Sequence, residues 1–120
     1  VKVPTAEVVQ YVNAQTPPDS LFDDMNRISL DAADHAGNQN WEGFGKSMLA
    51  YQECMKTLKL NTQILDDLQK LLCKTPGVYG AKIAGAGLGD SVIGIGARGH
   101  GEALKHHPAY IDAEIYDYAP

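Results

Sequence analysis

Residues 77–101 read GVYGAKIAGAGLGDSVIGIGARGHG and gather most of the chain's glycine around two short apolar segments. This segment is the most informative part of the sequence about the fold. It holds nine of the twelve glycines in the 120-residue chain. Glycine loses more conformational freedom on folding than any other residue, so this crowding indicates a place that needs bare backbone. The segments VYGAKIA (78–84) and SVIGIGA (91–97) are rich in β-branched residues, and we predict that they pair as an antiparallel hairpin.

The loop between the two predicted strands, residues 84–90, is longer than the connection requires. Two residues can join antiparallel strands, whereas this loop has seven, with glycine at 85, 87 and 89. Alternate glycines let backbone N–H groups converge and remove the Cβ atoms that would keep an anion away. Spacing alone leaves two interpretations open, a tight structural hairpin or a contact for phosphate or nucleotide. The loop is neither a P-loop nor a dinucleotide fingerprint, because no GK[ST] follows it and no GxGxxG opens a long helix.

Four helices are predicted before this hairpin, each preceded by a side chain that can cap its first backbone N–H groups. Gly37 is expected to end the second helix in the left-handed conformation. Gly43 and Gly45 are expected either to loosen the first turns of the third helix or to pack closely against another backbone. The predicted caps and helices are Thr5 for 6–15, Asp19 for 19–36, Asn40 for 40–58, and Asn61 or Thr62 for the fourth.

The third and fourth predicted helices each carry one apolar face. The face of the third is a continuous stripe, which either packs on neighbouring elements or binds a partner. On the fourth, Asp66 and Lys70 are expected to form an ion pair on the solvent side. The stripe consists of Trp41, Phe44, Met48, Tyr51, Met55 and Leu58, and the face of the fourth helix of Ile64, Leu65, Leu68, Leu71 and Leu72.

The fold class follows from the order of these elements. IDAEIYDY, residues 111–118, alternates apolar and acidic residues and is predicted to form an edge strand. Helices followed by a hairpin and a further strand predict an α+β two-layer sandwich, with the helices on one face of a small antiparallel sheet. The length supports one hydrophobic core, so we predict a single domain over residues 1–120.

Composition and charge argue against several classes of function. A net charge of −5 and a pI near 5.2 disfavour binding to nucleic acid. No apolar run approaches the roughly 20 residues that cross a bilayer, and no signal segment opens the chain, so a cytoplasmic protein is predicted. Cys54 and Cys73 lack CxxC spacing and are expected to be reduced core residues. His100, His106 and His107 lack the spacing of a zinc site, so no metal site is predicted.

GAKIAGAGLGDSVIGIG, residues 80–96, resembles the third conserved motif of the GHMP superfamily, named for galactokinase, homoserine kinase, mevalonate kinase and phosphomevalonate kinase. The usual motif is a Gly-Ala-Lys-Leu-Thr-Gly-Ala-Gly-Gly-Gly-Gly run before an apolar strand. LNTQILDDLQKLL (60–72) resembles the helix before that motif, and KVPTAEVV (2–9) the strand-to-helix segment of bacterial mevalonate-kinase-like members. The likeness covers nearly the whole chain, although only the glycine motif is highly specific.

The resemblance implies the C-terminal, ferredoxin-like domain of a kinase that transfers the γ-phosphoryl of ATP to a substrate hydroxyl. It further implies a mevalonate-kinase-like enzyme of isoprenoid biosynthesis, although phosphomevalonate, a sugar or homoserine stays open as the substrate. The implied partners are ATP, the small-molecule substrate and the protein's own N-terminal kinase domain. That domain would supply the main phosphate loop, the Mg²⁺ ligands and the group that activates the hydroxyl. This chain is therefore expected to be a fragment without catalytic residues, inactive alone, and a homodimer stays open.

By the same resemblance, the glycine loop shapes the site near the substrate and the transferred phosphoryl. Lys82 matches the lysine of the motif and is expected either to pair with phosphate or to be an exposed strand lysine. Lys2 and Thr5 are expected at the edge of the site. The assigned loop residues are Gly85, Ala86, Gly87, Leu88, Gly89 and Asp90.

The loop departs from the family motif at four positions. Ala84 replaces threonine and so loses a hydroxyl, and Ser91 stands where cysteine is common. Leu88 and Asp90 interrupt the glycine run. The carboxylate of Asp90 indicates either a different substrate or a side chain that turns away to cap local N–H groups, and we favour the second.

Two further functions stay open from the sequence. One is a non-catalytic, ferredoxin-like regulatory or metabolite-binding module that holds an anionic ligand at the glycine loop. The other is an interaction domain that uses the stripe from Trp41 to Leu58. A kinase predicts about 150–200 residues before Val1, enough for one further domain, with a Gly-Leu-Gly-Ser-Ser-type phosphate loop.

Overall fold

Four helices and a two-stranded antiparallel sheet make up the computed structural model, which describes residues 3–89, 91–97 and 104–105. The predicted α+β class, a ferredoxin-like two-layer sandwich, is confirmed. The predicted strand 111–118 lies outside the described residues, as do Lys2, Asp90, His100, His106 and His107. The elements are α1 (Thr5–Ala14), α2 (Asp19–Gly37), α3 (Trp41–Thr57), α4 (Gln63–Lys74), β1 (Val78–Ile83) and β2 (Val92–Gly96).

The helix starts confirm two of the predicted caps and correct two others. The Asn40 side chain accepts a hydrogen bond from the Gly43 N–H, and the Thr62 hydroxyl accepts one from the Leu65 N–H. Thr5 and Asp19 are instead the first residues of α1 and α2, where the cap positions are Pro4 and Pro18 and no side chain caps the helix. Both prolines have the extended ψ of an N-cap, near 140° and 146°, and their fixed φ suits that position.

The end of α2 also differs from expectation. Gly37 is the last helical residue, not the left-handed cap. Gln39 has the positive φ, 56°, instead. The turn into α3 therefore places its strained residue two positions later than the glycine.

The hydrophobic core joins α1, α3, α4 and the hairpin. Met48, Met55 and Leu58 of the α3 stripe are buried and Tyr51 is partly buried, whereas Trp41 at its start is 44% exposed. Ile64 was expected on the inner face of α4 and is 72% exposed. That prediction was wrong because Leu65 and the polar Gln69 take the inner positions. The buried cluster is Val8, Met55, Leu58, Leu60, Leu65 and Ile83.

Helix α3 touches strand β1 through backbone at a pair of glycines. A Cβ on Gly80 would overlap the carbonyl oxygen of Gly45, and a Cβ on Gly45 would overlap the carbonyl group of Tyr79. Close packing against another backbone, one of the two expectations for Gly45, is therefore confirmed. Gly43 lacks room for a different reason, because a Cβ there would lie 2.6 Å from His35 Nδ1.

Asp66 is the centre of a polar cluster on α4. Its Oδ2 lies 2.6 Å from Lys70 Nζ, as predicted, and its Oδ1 accepts a 2.9 Å hydrogen bond from Asn61 Nδ2. Lys56 Nζ from α3 is 3.6 Å from the same Oδ1. The hydrogen bonds from Lys70 and Asn61 lower the pKa of Asp66.

None of the helices in the described part of the chain combines the length and the apolar character that a membrane span requires.

Gly80→Ala is expected to lower the free energy of unfolding by about 1–3 kcal/mol, the usual cost of overpacking a core. The added methyl group has no space, because Gly45 backbone fills it. Urea denaturation measures the change. Gly37→Ala is the matched control, since a Cβ there meets nothing within 4 Å, and equal destabilisation by both variants would contradict the packing argument.

Asp66→Asn is expected to lower the free energy of unfolding at pH 7, and the difference from wild type should shrink in acid. A carboxyl whose pKa is lowered by folding stabilises the protein above its unfolded pKa, and that stability is lost as the pH falls through the folded pKa. The difference should therefore fade below pH 3.8, the ordinary value for this group. Thermal melts between pH 7 and pH 2 measure it, with the exposed neighbour Asp67→Asn as control, and a pH-independent difference would refute the assignment.

Candidate functional site: the glycine loop

The hairpin is closed just before the loop begins. Strands β1 and β2 pair antiparallel, with Ile83 opposite Val92. The Ala84 N–H then donates a 3.1 Å hydrogen bond to the Ser91 carbonyl oxygen. Residues after Ala84 are therefore free of the ladder, and the loop starts from a fixed base.

The first half of the loop is bare. Gly85 and Ala86 are exposed, and a Cβ on Gly85 would have no neighbour within 4 Å. Gly85 has a φ of 73°, which side chains rarely adopt. Within the part of the chain that the structure describes, no acceptor pairs with the N–H groups of these two residues. With respect to the described residues, these donors are open to a ligand oxygen.

The second half of the loop is anchored on the connection between α3 and α4. The Leu88 N–H donates a 2.9 Å hydrogen bond to the Leu60 carbonyl oxygen, and the Leu88 side chain packs against the core. Gly87 is buried, with a φ of 95°, and a Cβ there would lie 2.6 Å from Leu60 Cβ. The absence of a side chain at Gly87 therefore leaves space for the Leu60 side chain. Gly89 is only half-buried. Sequence reasoning missed Leu60, because nothing in its spacing marks it as the partner of the loop.

The structure also accounts for one departure from the family motif. Leu88 stands where the motif has glycine, and its side chain fills core space instead of projecting over the loop. It adopts a positive φ of 52° to do so. The role of Gly85, Ala86, Gly87, Leu88 and Gly89 toward a ligand stays a prediction.

Lys82 lies on the strand that leads into the loop and is turned toward α3. Its Nζ donates a 2.6 Å hydrogen bond to the Ile83 carbonyl oxygen and lies 5.1 Å from the centroid of the Tyr51 ring. Burial lowers its pKa. Lys82 is thus a half-buried lysine with partners of its own, and its pairing with phosphate stays a prediction. Thr5 is exposed at the start of α1.

Two buried glutamines, which sequence reasoning did not single out, meet the strand below the loop. Gln52 Oε1 on α3 accepts a 2.8 Å hydrogen bond from the Ile83 N–H. Gln69 Nε2 on α4 donates a 3.0 Å hydrogen bond to the Ala81 carbonyl oxygen. Cys73 accompanies Gln69, whose Nε2 lies 3.2 Å from its Sγ, and burial raises the pKa of that thiol. Both cysteines are free, with Cys54 buried and Cys73 half-buried.

A separate concave region lies between α2 and α3, away from the loop, with a volume of about 490 Å³. Its charges are mixed, and Arg27 is already paired with Asp24 at 3.2 Å. The groove mixes cationic and anionic side chains, whereas the open groups of the loop are all N–H donors. We therefore place the site at the loop. In the described ranges, no group of three His, Cys, Asp or Glu side chains could hold a metal ion. The groove is lined by Arg27, Ile28, Asp31, His35, Asn40, Glu42, Gly43, Lys46, Ser47 and Ala50.

Comparison with known proteins bears on the loop directly. A family model described as "GHMP kinases C terminal" matches residues 29–107. That range includes all of α3, α4, the hairpin and the glycine loop. A search of curated proteins found no match. Because the matched range covers well over half of the sequence, the chain belongs to the family of GHMP kinase C-terminal domains.

Proposed function

We propose that this domain serves an ATP-dependent kinase that phosphorylates the hydroxyl group of a small molecule, with mevalonate or a close analogue as substrate. The observation that carries the proposal is the pair of open backbone N–H donors at Gly85 and Ala86, inside the family motif. Backbone donors of this kind bind the oxygens of anions. Phosphate is the anion that a kinase must hold.

The loop contributes positioning and electrostatic stabilisation in this proposal. Phosphoryl transfer needs little covalent chemistry from the protein and depends on fixing the reactants and neutralising charge. N–H donors that are already in place stabilise developing charge without reorganisation. The bond from Leu88 to Leu60 holds the loop from the far side, which keeps the donors of the bare half in one position.

The described residues of the loop fit the anion side of the reaction better than the metal side. Mg²⁺ prefers carboxylate and other oxygen ligands, whereas the open groups of the loop are N–H donors. The described residues also hold no three-carboxylate cluster. ATP and Mg²⁺ would therefore be bound mainly by the N-terminal domain of the full-length kinase, which would also supply the group that activates the hydroxyl.

The full-length protein is expected to consume ATP in the presence of one substrate from a panel of mevalonate, phosphomevalonate, a sugar and homoserine. A coupled assay of ADP release measures the turnover, and mevalonate is the expected substrate. This chain alone should show none. If no member of the panel is turned over while the protein still binds inorganic phosphate at the loop, the kinase proposal fails and a regulatory anion-binding module takes its place.

Ala86→Glu in the full-length protein is expected to lower kcat/KM by about 5- to 1,000-fold. A carboxylate near a phosphoryl group repels it by about 1–4 kcal/mol at 4 Å, depending on the local dielectric, and about 1.4 kcal/mol is tenfold in rate. Ala86→Gln is the matched control, because it adds the same bulk without charge. Ala86 is exposed, so neither variant should alter thermal stability. Equal activity of the two variants would show that no anion approaches the loop.

A further inference from the structure

Among the residues that the structure describes, the outer edge of β1 is closed by side chains and not by another strand. Ala84 bonds across the hairpin to Ser91, and alternate residues of an antiparallel strand point their N–H and C=O groups to opposite edges. Ala81 and Ile83 therefore face away from β2. Gln69 and Gln52, which are 5% and 1% exposed, fill that edge with their amide groups.

The two glutamines are similar in burial and bond length, but they differ in their distance along the strand from the loop. Gln69 meets Ala81, three residues before the strand leaves the ladder at Ala84. Gln52 meets Ile83, the last residue of β1 and the neighbour of Ala84. A shift of Ile83 would pass directly into Gly85 and Ala86, whereas a shift of Ala81 would be absorbed by the intervening pairs with β2.

Gln52 also belongs to the helix that leads to the other anchor of the loop. Helix α3 ends at Thr57, and Leu60, just beyond it, accepts the Leu88 N–H bond. Helix α3 and the turn that ends it, which is tied to the helix by the hydrogen bond from the Leu60 N–H to the Met55 carbonyl oxygen, therefore hold both sides of the loop, through Gln52 before the bare half and through Leu60 after it. The span between the two anchors contains the open donors.

Only the oxygen of the Gln52 amide group makes a hydrogen bond to a described residue. Its Oε1 accepts from Ile83, but its Nε2 is buried without a hydrogen-bond partner among the described residues. A buried amide hydrogen without a partner is destabilising. An apolar residue of the same length would remove that penalty but leave the Ile83 N–H unsatisfied. The Gln52 side chain therefore acts through its oxygen, which binds the strand at the base of the loop.

We infer that Gln52 is a positioning residue that fixes the glycine loop, so that the N–H groups of Gly85 and Ala86 keep the geometry an anion requires. The link to anion binding rests on the proposed function, whereas the link to loop geometry does not. Gln69 closes the same edge without positioning the loop.

The test compares Gln52→Met with Gln69→Met in the full-length protein. Each variant leaves one backbone group of the same strand edge without its partner, so both should lose stability, and Gln69→Met should lose at least as much because Gln52→Met also removes the unpaired Nε2. Amide hydrogen exchange of Ala84 and Leu88, whose N–H groups are bonded to the Ser91 and Leu60 carbonyl oxygens, is followed by NMR and is expected to rise about tenfold in Gln52→Met, equivalent to the loss of one buried hydrogen bond. It should stay near the wild-type rate in Gln69→Met. Equal exchange in the two variants would overturn the inference.

A second variant guards against a folding defect. Gln52→Glu keeps an oxygen acceptor for the Ile83 N–H and removes the unpaired Nε2. Because a buried charge is costly and burial keeps a carboxyl protonated, the variant is compared with wild type and Gln52→Met near pH 4, where its loop exchange should stay close to wild type. Exchange as fast as in Gln52→Met would overturn the inference, because the acceptor would then be irrelevant.

Titration with inorganic phosphate separates this inference from the proposed function. We expect Gln52→Met to bind phosphate about tenfold more weakly than Gln69→Met, about 1.4 kcal/mol. Wild-type protein that binds no phosphate at the loop would refute the proposed function. The positioning of the loop by Gln52 would still stand or fall on the exchange rates alone.

Discussion

The contact between Gly45 and Gly80 is the constraint on which the rest of the structure depends. With no Cβ on either residue, α3 lies against β1 at backbone distance. From that contact onward, the helix and the strand advance by equal distances. Seven helical residues from Gly45 to Gln52 rise about 10 Å, and three strand residues from Gly80 to Ile83 also rise about 10 Å. The glycine contact therefore brings the Gln52 amide level with the Ile83 N–H, where it makes its hydrogen bond.

The same alignment explains why the loop has two halves of different character. Helix α3 continues past Gln52 to the connection that carries Leu60, which receives Gly87 and Leu88. The far half of the loop is thus packed as core. The near half extends beyond the last ladder bond, where no described residue fills the space beside Gly85. A loop that is open on one side and packed on the other can present donors without having to order them first.

Sequence patterns predicted those parts of the fold that depend on local chemistry. Asn40 and Thr62 could be identified as caps because a single side chain bonds a nearby N–H. The hairpin and the α4 ion pair followed in the same way. The two buried glutamines could not be predicted from the sequence, because a polar residue on a helix normally faces water. Gln52 and Gln69 are buried only because a strand edge, fixed by long-range packing, needs partners for its backbone.

The departures of the loop from the family motif bear differently on anion binding and on substrate choice. Its open donors belong to the backbone, so replacing threonine by Ala84 or glycine by Leu88 removes none of them. The Leu88 side chain is accounted for by the core. The hydroxyl that Ala84 lacks, in contrast, is a side-chain group that a substrate could have used. If the loop binds a phosphoryl group as proposed, the changes at positions 84 and 88 leave its backbone donors in place, and the change at position 84 alters a side chain that could contact the substrate.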